Sequence, residues 1–326
     1  MIADDAPTEG EAMRALIAKN GSVRVAEVPT PQPDPHEVLV RVRSAGINAA
    51  DLLQARGHYP PPAGFDPERL GLEFAGEVVE VGSTVTTRQP GQLVMGITGG
   101  GAHADFLTIP ASACIPVPDG IDPKIAGGYP EAAFTAFDAL IRQVHLSIGD
   151  RLLVHGALGG VGNAAVQIGA LLGAHVTAVV RSHESDAQVF SLGCHTSVTP
   201  DEIVDFGPYD VIIELVSGEN LPTNLESLAL GGRIVMIGVG SSAKPEIDLR
   251  LLMSKRGTLR ASTLRARSWE QKSLLAADVE HHLLGHLATG AYRIIVEHQF
   301  DLAEGETAYE RFRQPGKFGK LILTTD

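Results

Sequence analysis

The chain has 326 residues, of which 44% are hydrophobic and 20% are charged, a composition typical of globular proteins. This length is too great for one ordinary core and predicts two domains. The formal net charge of -13, without any run of basic residues, argues against nucleic acid as a partner. The two cysteines lie far apart, so the sequence indicates neither a disulfide framework nor a cysteine zinc site and favours a cytoplasmic protein.

The start of the chain and its most apolar region do not have the patterns of a targeting segment or a membrane span. Residues 1–12 are acidic and rich in small side chains, and we expect a flexible tail there rather than a signal peptide. Residues 151–181 are apolar but are interrupted by glycines and by His155, Asn163 and Gln167, so we do not expect them to cross a membrane. The sequence predicts a soluble protein.

The first part of the chain has the pattern of a β-rich lobe. From residue 13 to about residue 127, short apolar and β-branched runs alternate with glycines and prolines. The Pro-rich residues 116–123 are a plausible edge of this lobe, and a helical pattern follows them. We therefore place the first domain at residues 13–127.

The second part of the chain alternates between strands and helices. Four buried parallel strands are predicted at residues 151–156, 175–180, 209–216 and 231–238, with helices between them at residues 163–173, 186–193 and 224–230. This alternation predicts an α/β fold with a doubly wound parallel sheet at residues 128–268. A helix is expected from Trp269 to about Ala288, and the strand-like closing segment is expected to return to the first lobe, which then includes residues 269–326.

A glycine-rich turn joins the first of these strands to the following helix. It contains Gly156, Gly159, Gly160 and Gly162. A pyrophosphate needs backbone N–H groups at close range, and side chains at these positions would block its approach. Because the strand, the helix and the next strand have the expected order, we favour dinucleotide binding over a plain tight turn, in which the glycines would only relieve steric strain.

The end of the second strand bears on the choice of cofactor. An NAD-preferring fold usually places Asp or Glu there, to accept a hydrogen bond from the ribose 2′-hydroxyl, whereas this chain has Arg181 and Ser182. A guanidinium and a hydroxyl suit a 2′-phosphate, so we expect NADPH. The alternative is that Arg181 is an ordinary exposed cation, which Glu184 is close enough in sequence to pair with.

Several segments, in order, resemble the zinc-independent quinone oxidoreductases of the medium-chain dehydrogenase/reductase superfamily. They are AGINAADLLQARGHYPPPAG, LGLEFAGEVVEVG, YPEAAFTAF, VHGALGGVG and LGGRIVMIG, and they most resemble the zeta-crystallin type and its tumour-suppressor-inducible branch. The resemblance implies a GroES-like catalytic lobe, a Rossmann lobe, NADPH, and a quinone or enone acceptor. It also implies a homodimer formed through Rossmann-lobe strands.

The resemblance also implies site residues. Asn48 and Tyr59 match positions that border the nicotinamide and the acceptor, and we assign them as the catalytic residues. The implied cofactor contacts, besides the glycines of the turn, Arg181 and Ser182, are Thr135, Leu158, Val161, Thr199, Gly238, Gly240, Thr263 and Leu264. Leu53 and Tyr129 depart from the family pattern and leave the acceptor shape open.

The zinc alcohol dehydrogenases share the implied fold, so the fold alone does not decide whether this chain binds zinc. A catalytic zinc needs a cysteine in the segment that here reads SAGINAAD and a histidine in the segment that here reads GLEF. Those places hold Ala and Asn residues and Leu72, so we expect no metal. Without a Lewis acid, the acceptor must already be electrophilic.

Three functions remain open from the sequence. The first is an NADPH-dependent quinone reductase, in which Tyr59 donates a hydrogen bond to the developing oxyanion. The second is an alkenal or enoyl reductase, which uses the same cofactor and then protonates the neighbouring carbon. The third is an NADPH-binding protein with a structural role and little catalysis. For Asn48, orientation of the ribose or acceptor and simple satisfaction of a turn are both open.

Overall fold

The computed structural model describes Pro7 and residues 10–19, 21–240 and 242–325. Two compact units are present, one formed by the chain up to Glu131 and again from Leu264, the other by Ala132–Thr263. Their limits differ by a few residues from the domain boundaries predicted after residues 127 and 268. Of the predicted tail, residues 1–6, 8 and 9 lie outside the described residues.

The tail was predicted to extend to residue 12, and this limit is wrong. The first strand begins at Ala12, and the carbonyl of Glu11 accepts hydrogen bonds from both the N–H and the hydroxyl of Thr30, at 3.0 and 2.7 Å. The chain is therefore anchored one residue before the strand.

The strands and helices are numbered in chain order. The strands are β1 Ala12–Lys19, β2 Ser22–Pro29, β3 Glu37–Gly46, β4 Glu73–Val81, β5 Leu93–Ile97, β6 Phe106–Pro110, β7 Cys114–Pro116, β8 Arg151–Val154, β9 His175–Val179, β10 Thr196–Val198, β11 Tyr209–Glu214, β12 Leu228–Met236, β13 Thr258–Ala261, β14 Val296–Asp301 and β15 Lys320–Thr324. The α-helices are α1 Ala49–Ala55, α2 Pro123–Ala126, α3 Pro130–Phe137, α4 Gly160–Leu171, α5 Asp186–Phe190, α6 Ile203–Phe206, α7 Leu221–Glu226, α8 Leu249–Ser254, α9 Trp269–Ala288 and α10 Gly305–Arg313.

The first unit is built on β-structure. Its main sheet has the order β14-β15-β3-β4-β5-β7, with β6 also paired to β3, while β1 and β2 form a separate antiparallel pair. The closing strand β15 pairs antiparallel with β3, with Ile322 opposite Gly46. The predicted return of the chain's end to the first lobe is therefore confirmed. Residues of β3, β4 and β5 such as Val40, Phe74 and Val94 are fully buried in its core.

The second unit contains one six-stranded sheet in which every pair of neighbours is parallel. The strand order is β10-β9-β8-β11-β12-β13, so the connection reverses direction between β8 and β11. The strands have continuous apolar runs because both faces of a parallel sheet are covered. This is the predicted doubly wound Rossmann arrangement, and ligands of such sheets bind at the carboxyl edge where the order reverses.

Two predicted helices illustrate where the pattern was reliable and where it was not. The helix α9 has the predicted limits, and a reciprocal capping box between Ser268 and Gln271 fixes its start. The helix predicted at residues 224–230 begins earlier and ends at Glu226, because Leu228 already pairs with Tyr209 as the first residue of β12. Among the described residues, no helix combines the length and apolar character that a membrane crossing requires.

Candidate functional site

The glycine-rich turn after β8 is shaped by close backbone contacts. Gly156 has a φ of +62°, in the left-handed region that favours glycine, and its carbonyl accepts from the N–H of Gly159 at 3.0 Å. A Cβ atom built on Gly162 would lie 2.2 Å from that same carbonyl oxygen. The turn therefore requires glycine at positions 156 and 162, and it starts α4 directly after the strand.

The start of α4 offers a site for an anion. Gly159 is the exposed residue before the helix, and the first three N–H groups, those of Gly160, Val161 and Gly162, have no carbonyl one turn earlier within the helix. No acidic residue lies in this first turn. Backbone N–H groups and the helix dipole here favour a phosphate group, so the turn fits a dinucleotide pyrophosphate. Leu158 is half-buried beside it.

A second glycine loop packs against the same edge of the sheet. Cβ atoms built on Gly238 and Gly240 would lie 2.3 and 2.2 Å from the carbonyl oxygens of Leu215 and Val216, respectively. The side chain of Val216 in turn approaches Gly156, where a Cβ would lie 3.0 Å from it. The loop after β11 is thus held between the two glycine loops, and the structure brings Gly156, Gly162, Gly238 and Gly240 together.

A buried carboxylate organises the loop after β11. Glu214 is fully buried, and its Oε1 accepts from the N–H groups of Val216 and Ser217 at 2.7 and 3.1 Å. Its Oε2 accepts from the side-chain amides of Asn220 and Asn224 at 3.1 and 3.0 Å. Four donors satisfy a buried charge that would otherwise be costly, and they fix the loop's path.

His155, directly before the glycine turn, completes this network as a neutral side chain. Its Nε2 lies 2.7 Å from Oδ1 of Asn224, whose amide donates to Glu214. Since Oδ1 can only accept, Nε2 carries the proton. Burial lowers the pKa of His155, which agrees with a neutral imidazole. No sequence pattern pointed to this histidine or to Glu214 as parts of the site.

The loop after β9 holds the predicted cofactor-selecting residues. Arg181 and Ser182 are both exposed, and the hydroxyl of Ser182 accepts from the N–H of Glu184 at 3.3 Å. The hydroxyl and the N–H of Thr199 both donate to Oε2 of Glu202, at 2.9 and 2.7 Å. Thr199 therefore caps the short helical segment that follows it. These residues follow β9 and β10, whose carboxyl ends lie at the same edge of the sheet as that of β8, which the glycine turn follows.

Three predicted contacts lie at or near the limits of the units. Thr135 is buried within α3, and Thr263 is the last residue of the second unit. Leu264 is buried and belongs to the first unit.

Asn48 lies inside a buried polar network of the first unit. Its side-chain amide donates to Oε1 of Glu73 at 2.9 Å and to the carbonyl of Gly46 at 3.2 Å, while its Oδ1 accepts from Nζ of Lys320 at 2.6 Å. Asp51 accepts from the N–H groups of Asn48 and Gly71. The turn-satisfying role considered for Asn48 is thus present, and Asp51 ties the turn to Gly71 of the same unit.

Tyr59 is positioned by a buried arginine. The guanidinium of Arg265 donates to the carbonyl of Tyr59 at 2.9 Å and lies 5.2 Å from the centre of its ring. The same guanidinium donates to the side chain of Gln54 on α1 and to the carbonyl of Gly99. Because Asn48 begins α1 and Gln54 lies near its end, this short helix links the environments of the two predicted catalytic residues.

Glu131, directly before the second unit, has an unusual electrostatic setting. Its N–H donates to Oε2 of Glu73 at 2.8 Å. Burial, and then the neighbouring Glu73 carboxylate, raise the pKa of Glu131 to about 8. Burial also lowers the pKa of Lys272 to about 8, and its Nζ donates to the carbonyl of Arg265. A carboxyl group that keeps its proton near neutral pH can serve as an acid.

Sequence reasoning missed the charged residues Glu73, Lys320, Arg265, Lys272 and Glu214. A signal was present, because Glu73, Glu214 and Lys320 interrupt or border apolar, β-branched runs where a charge needs a partner. Tyr129, which departs from the family pattern, is fully buried. Its ring packs edge-on against that of Tyr292, with 5.3 Å between the two ring centres.

Comparison with known families is decisive for the fold. The chain matches the alcohol dehydrogenase GroES-like domain at residues 34–119 and the zinc-binding dehydrogenase family at residues 160–277. The chain is a member of the medium-chain dehydrogenase/reductase superfamily. The GroES-like match includes β3 to β7 of the first unit, and the dehydrogenase match begins at Gly160, the first residue of α4, and includes the Rossmann strands from β9 to β13.

Individual members of this superfamily resemble the chain at moderate identity. It is 28% identical to a quinone oxidoreductase from Lama guanicoe over 329 residues, covering 95% of this chain and 97% of that one. It is 33% identical to the polyketide synthase GfsB from Streptomyces halstedii over 294 residues, covering 88% of this chain but only 5% of the synthase. The solved structure of a thermostable alcohol dehydrogenase from Pyrobaculum aerophilum superposes with a TM-score of 0.82 at 27% identity, covering 96% of this chain and 100% of that one.

These likenesses support an oxidoreductase that uses a nicotinamide cofactor. Although one matching family is described as zinc-binding, the described residues contain no group of three or more His, Cys, Asp and Glu side chains able to hold a metal ion. The buried Leu72 stands in the segment where a zinc enzyme needs histidine.

Proposed function

We propose that the chain is an NADPH-dependent reductase that delivers a hydride to quinones or related conjugated carbonyl compounds without zinc. The observation that carries this proposal is the glycine turn between β8 and α4, where the Gly156 carbonyl excludes a Cβ at position 162 and the first N–H groups of α4 are free of acidic neighbours in the first turn. NADPH held at this turn would supply the hydride. The 28% identity to a quinone oxidoreductase over nearly its whole length supports the acceptor class.

The chain's own residues then bind and orient. The first N–H groups of α4 hold the pyrophosphate, and Arg181 with Ser182 meets the 2′-phosphate. In the first unit, Arg265 fixes the backbone and ring of Tyr59, so that its hydroxyl donates to the oxygen on which charge develops. Asn48 keeps Lys320 and Glu73 in place through hydrogen bonds to both side chains.

A second candidate is an enoyl or alkenal reductase. Two observations favour it: the chain resembles a polyketide synthase at 33% identity, and the pKa of Glu131 is raised to about 8. A reductase of this type must place a proton on the carbon next to the one that receives hydride, and a neutral carboxyl group is a suitable donor. The third candidate is a cofactor-binding protein with little catalysis. It differs from both reductases because it would turn over none of the acceptors.

The deciding experiment measures NADPH oxidation by absorbance against a panel of quinones, enones and enoyl thioesters. Turnover of quinones at rates above those of enoyl thioesters supports the first function, and the reverse order supports the second. Tight NADPH binding with no turnover of any acceptor favours the structural role. Elemental analysis that finds about one zinc per chain, with activity lost to a chelator, would overturn the metal-free mechanism.

A homodimer is part of this proposal. The edge strand β13 has four exposed residues, and Leu259 on it lies in the same unit as the exposed Leu249 and Met253 of α8. An exposed apolar sheet edge is a site at which a second copy can add its own strand. Light scattering of the wild type and of Leu259→Lys measures this: the wild type should be a dimer and the variant a monomer. A monomeric wild type would remove the dimer from the proposal.

A further inference from the structure

A histidine links two acidic residues beside the proposed 2′-phosphate site. Nδ1 of His183 lies 3.1 Å from Oδ2 of Asp186, and its Nε2 lies 3.1 Å from Oε2 of Glu202. Each ring nitrogen therefore faces a carboxylate. A neutral imidazole has one donor only, so the two contacts are both satisfied only when the ring is protonated. His183 follows Arg181 and Ser182 directly in the chain.

The charges around this loop come from three segments. On its own loop His183 has Arg181 and Glu184 as neighbours, on α5 it faces Asp186, and on the segment after β10 it faces Glu202 with Asp201 beside it. The N–H of Thr199 holds the pKa of Glu202 below its ordinary value, so this carboxylate stays ionised. Cys194, which also interacts with Asp186, stays neutral because burial raises its pKa to about 11.

The protonation of His183 thus sets the local charge. When the ring is charged, it offsets one of the two carboxylates that it contacts and adds a cation near Arg181. When the ring is neutral, Asp186 and Glu202 are left without that cation, and the loop repels a phosphate more strongly. Hydrogen bonding to Asp186 raises the pKa of His183 above 6.5, which brings this change toward neutral pH.

We infer that His183 is a specificity-determining residue, whose charged form strengthens the preference of the loop after β9 for a ribose 2′-phosphate over a 2′-hydroxyl. The inference rests on the proposed use of NADPH. It assigns the selection to Arg181 and His183 together, and it makes the preference for NADPH over NADH fall as pH rises. The second ionisation of the 2′-phosphate, with a pKa of about 6, would have the opposite effect on the NADPH affinity. It would make binding tighter as pH rises, because the dianion binds a cation more tightly.

The size of the effect follows from Coulomb's law. One unit charge about 8 Å from a phosphate dianion in water changes its affinity by about fivefold, and salt reduces this to about twofold near physiological ionic strength. We therefore expect the wild-type dissociation constant for NADPH to rise by about three- to fivefold between about pH 6.5 and about pH 9 in dilute buffer. The value for NADH should stay within about twofold, since NADH has no 2′-phosphate.

The test titrates NADPH and NADH by fluorescence into the wild type, His183→Gln, His183→Lys and the control His175→Gln, at both pH values and at low and high salt. His175 lies exposed at the opposite end of the same strand, β9, so its loss removes a histidine without touching the loop. His183→Gln should bind NADPH at both pH values with the weaker affinity that the wild type has at about pH 9. His183→Lys should bind it tightly at both, and His175→Gln should behave as wild type.

The outcomes separate this inference from the proposed function. If the wild type prefers NADPH but His183→Gln keeps the wild-type pH dependence, the role of His183 is overturned and the cofactor assignment stands. If the wild type binds NADH and shows no preference for NADPH at either pH, both are overturned. A pH-dependent preference that is lost in His183→Gln, made constant in His183→Lys and reduced by salt supports the inference.

Discussion

The ammonium group of Lys320 lies 2.6 Å from Oε1 of Glu73, and both side chains are buried. The two residues are 247 positions apart, and pairing of β15 with β3 and of β3 with β4 brings them together. Asn48 joins them, since it accepts from Lys320 and donates to Glu73. Glu73, Lys320 and the predicted catalytic residue Asn48 therefore form one hydrogen-bonded cluster.

Lys320→Met should destabilise the first unit strongly, because it leaves the Glu73 carboxylate buried without its cation. Removing one member of a buried pair costs about 3–5 kcal/mol, which chemical denaturation measures. Lys19→Met is a matched control: its Nζ lies 3.8 Å from Glu68 on an exposed surface, and its loss should cost about 1 kcal/mol or less. Adding Glu73→Gln to Lys320→Met should restore part of the loss, and equal costs for the two single lysine variants would contradict the buried pair.

Glu131 should make stability depend on pH. Its pKa is raised from 4.5 to about 8, so the folded chain holds a proton that the unfolded chain releases, and this stabilisation is lost as pH rises through 8. Relative to Glu131→Gln, the wild type should lose about 1–3 kcal/mol of unfolding free energy from about pH 5 to about pH 9, allowing for its partial exposure. Glu184→Gln, which removes an exposed carboxylate, is the control, and the pH dependence of its unfolding free energy should match that of the wild type. If the unfolding free energies of the wild type and Glu131→Gln change with pH in the same way, Glu131 is already ionised in the folded chain and the prediction is wrong.

Gly160→Val should abolish NADPH binding and leave a folded chain. Gly160 is the first residue of α4, where a side chain would occupy the space needed by the pyrophosphate. Gly285→Val, on the exposed face of α9 with nothing within 4 Å of its Cβ position, is the control and should bind normally. Fluorescence titration gives the affinities and circular dichroism the fold. Normal NADPH binding by Gly160→Val would remove the glycine turn from the site.

Arg181→Ala should weaken NADPH binding and leave NADH nearly unaffected. A charge-assisted hydrogen bond to the 2′-phosphate contributes about 1.5–3 kcal/mol, which is about 10- to 150-fold in dissociation constant. Arg181→Asp should reverse the preference, because its carboxylate repels the phosphate and accepts from a ribose hydroxyl. An equal loss for both cofactors would mean that Arg181 acts on the fold or on the pyrophosphate. The exposed position of Arg181 makes a folding defect an unexpected result.

Tyr59→Phe should lower kcat by about 10- to 100-fold with little change in the dissociation constant for NADPH, if its hydroxyl meets charge that develops only in the transition state. Tyr129→Phe is the control in the same unit, since that buried hydroxyl has no hydrogen-bond partner among the described residues. Steady-state kinetics with the best quinone or enone gives kcat, and titration gives the affinity. Unchanged turnover in Tyr59→Phe would leave this ring as packing against Arg265.

The sequence alone determined the fold class and the position of the glycine turn. Apolar runs of parallel strands, the helix of Trp269–Ala288 and the spacing of Gly156 to Gly162 all depend on local periodicity and on local backbone geometry, which are readable along the chain. The two-unit organisation followed from the change of period near residue 127. The observed limits of some elements differ by a few residues from the predicted ones, because strand pairing decides where an element begins. Leu228 is an example, since its pairing with Tyr209 makes it the first residue of β12.

Only the tertiary structure decided which charges share a site. Glu73 and Lys320 meet through the register of β15, β3 and β4, and Glu214 gathers Asn220, Asn224 and His155 from separate segments. His183 contacts Glu202 from a different loop. Such contacts join residues of different strands, helices and loops, and a residue's partner in a folded protein depends on packing and register, for which a single sequence carries no local signal.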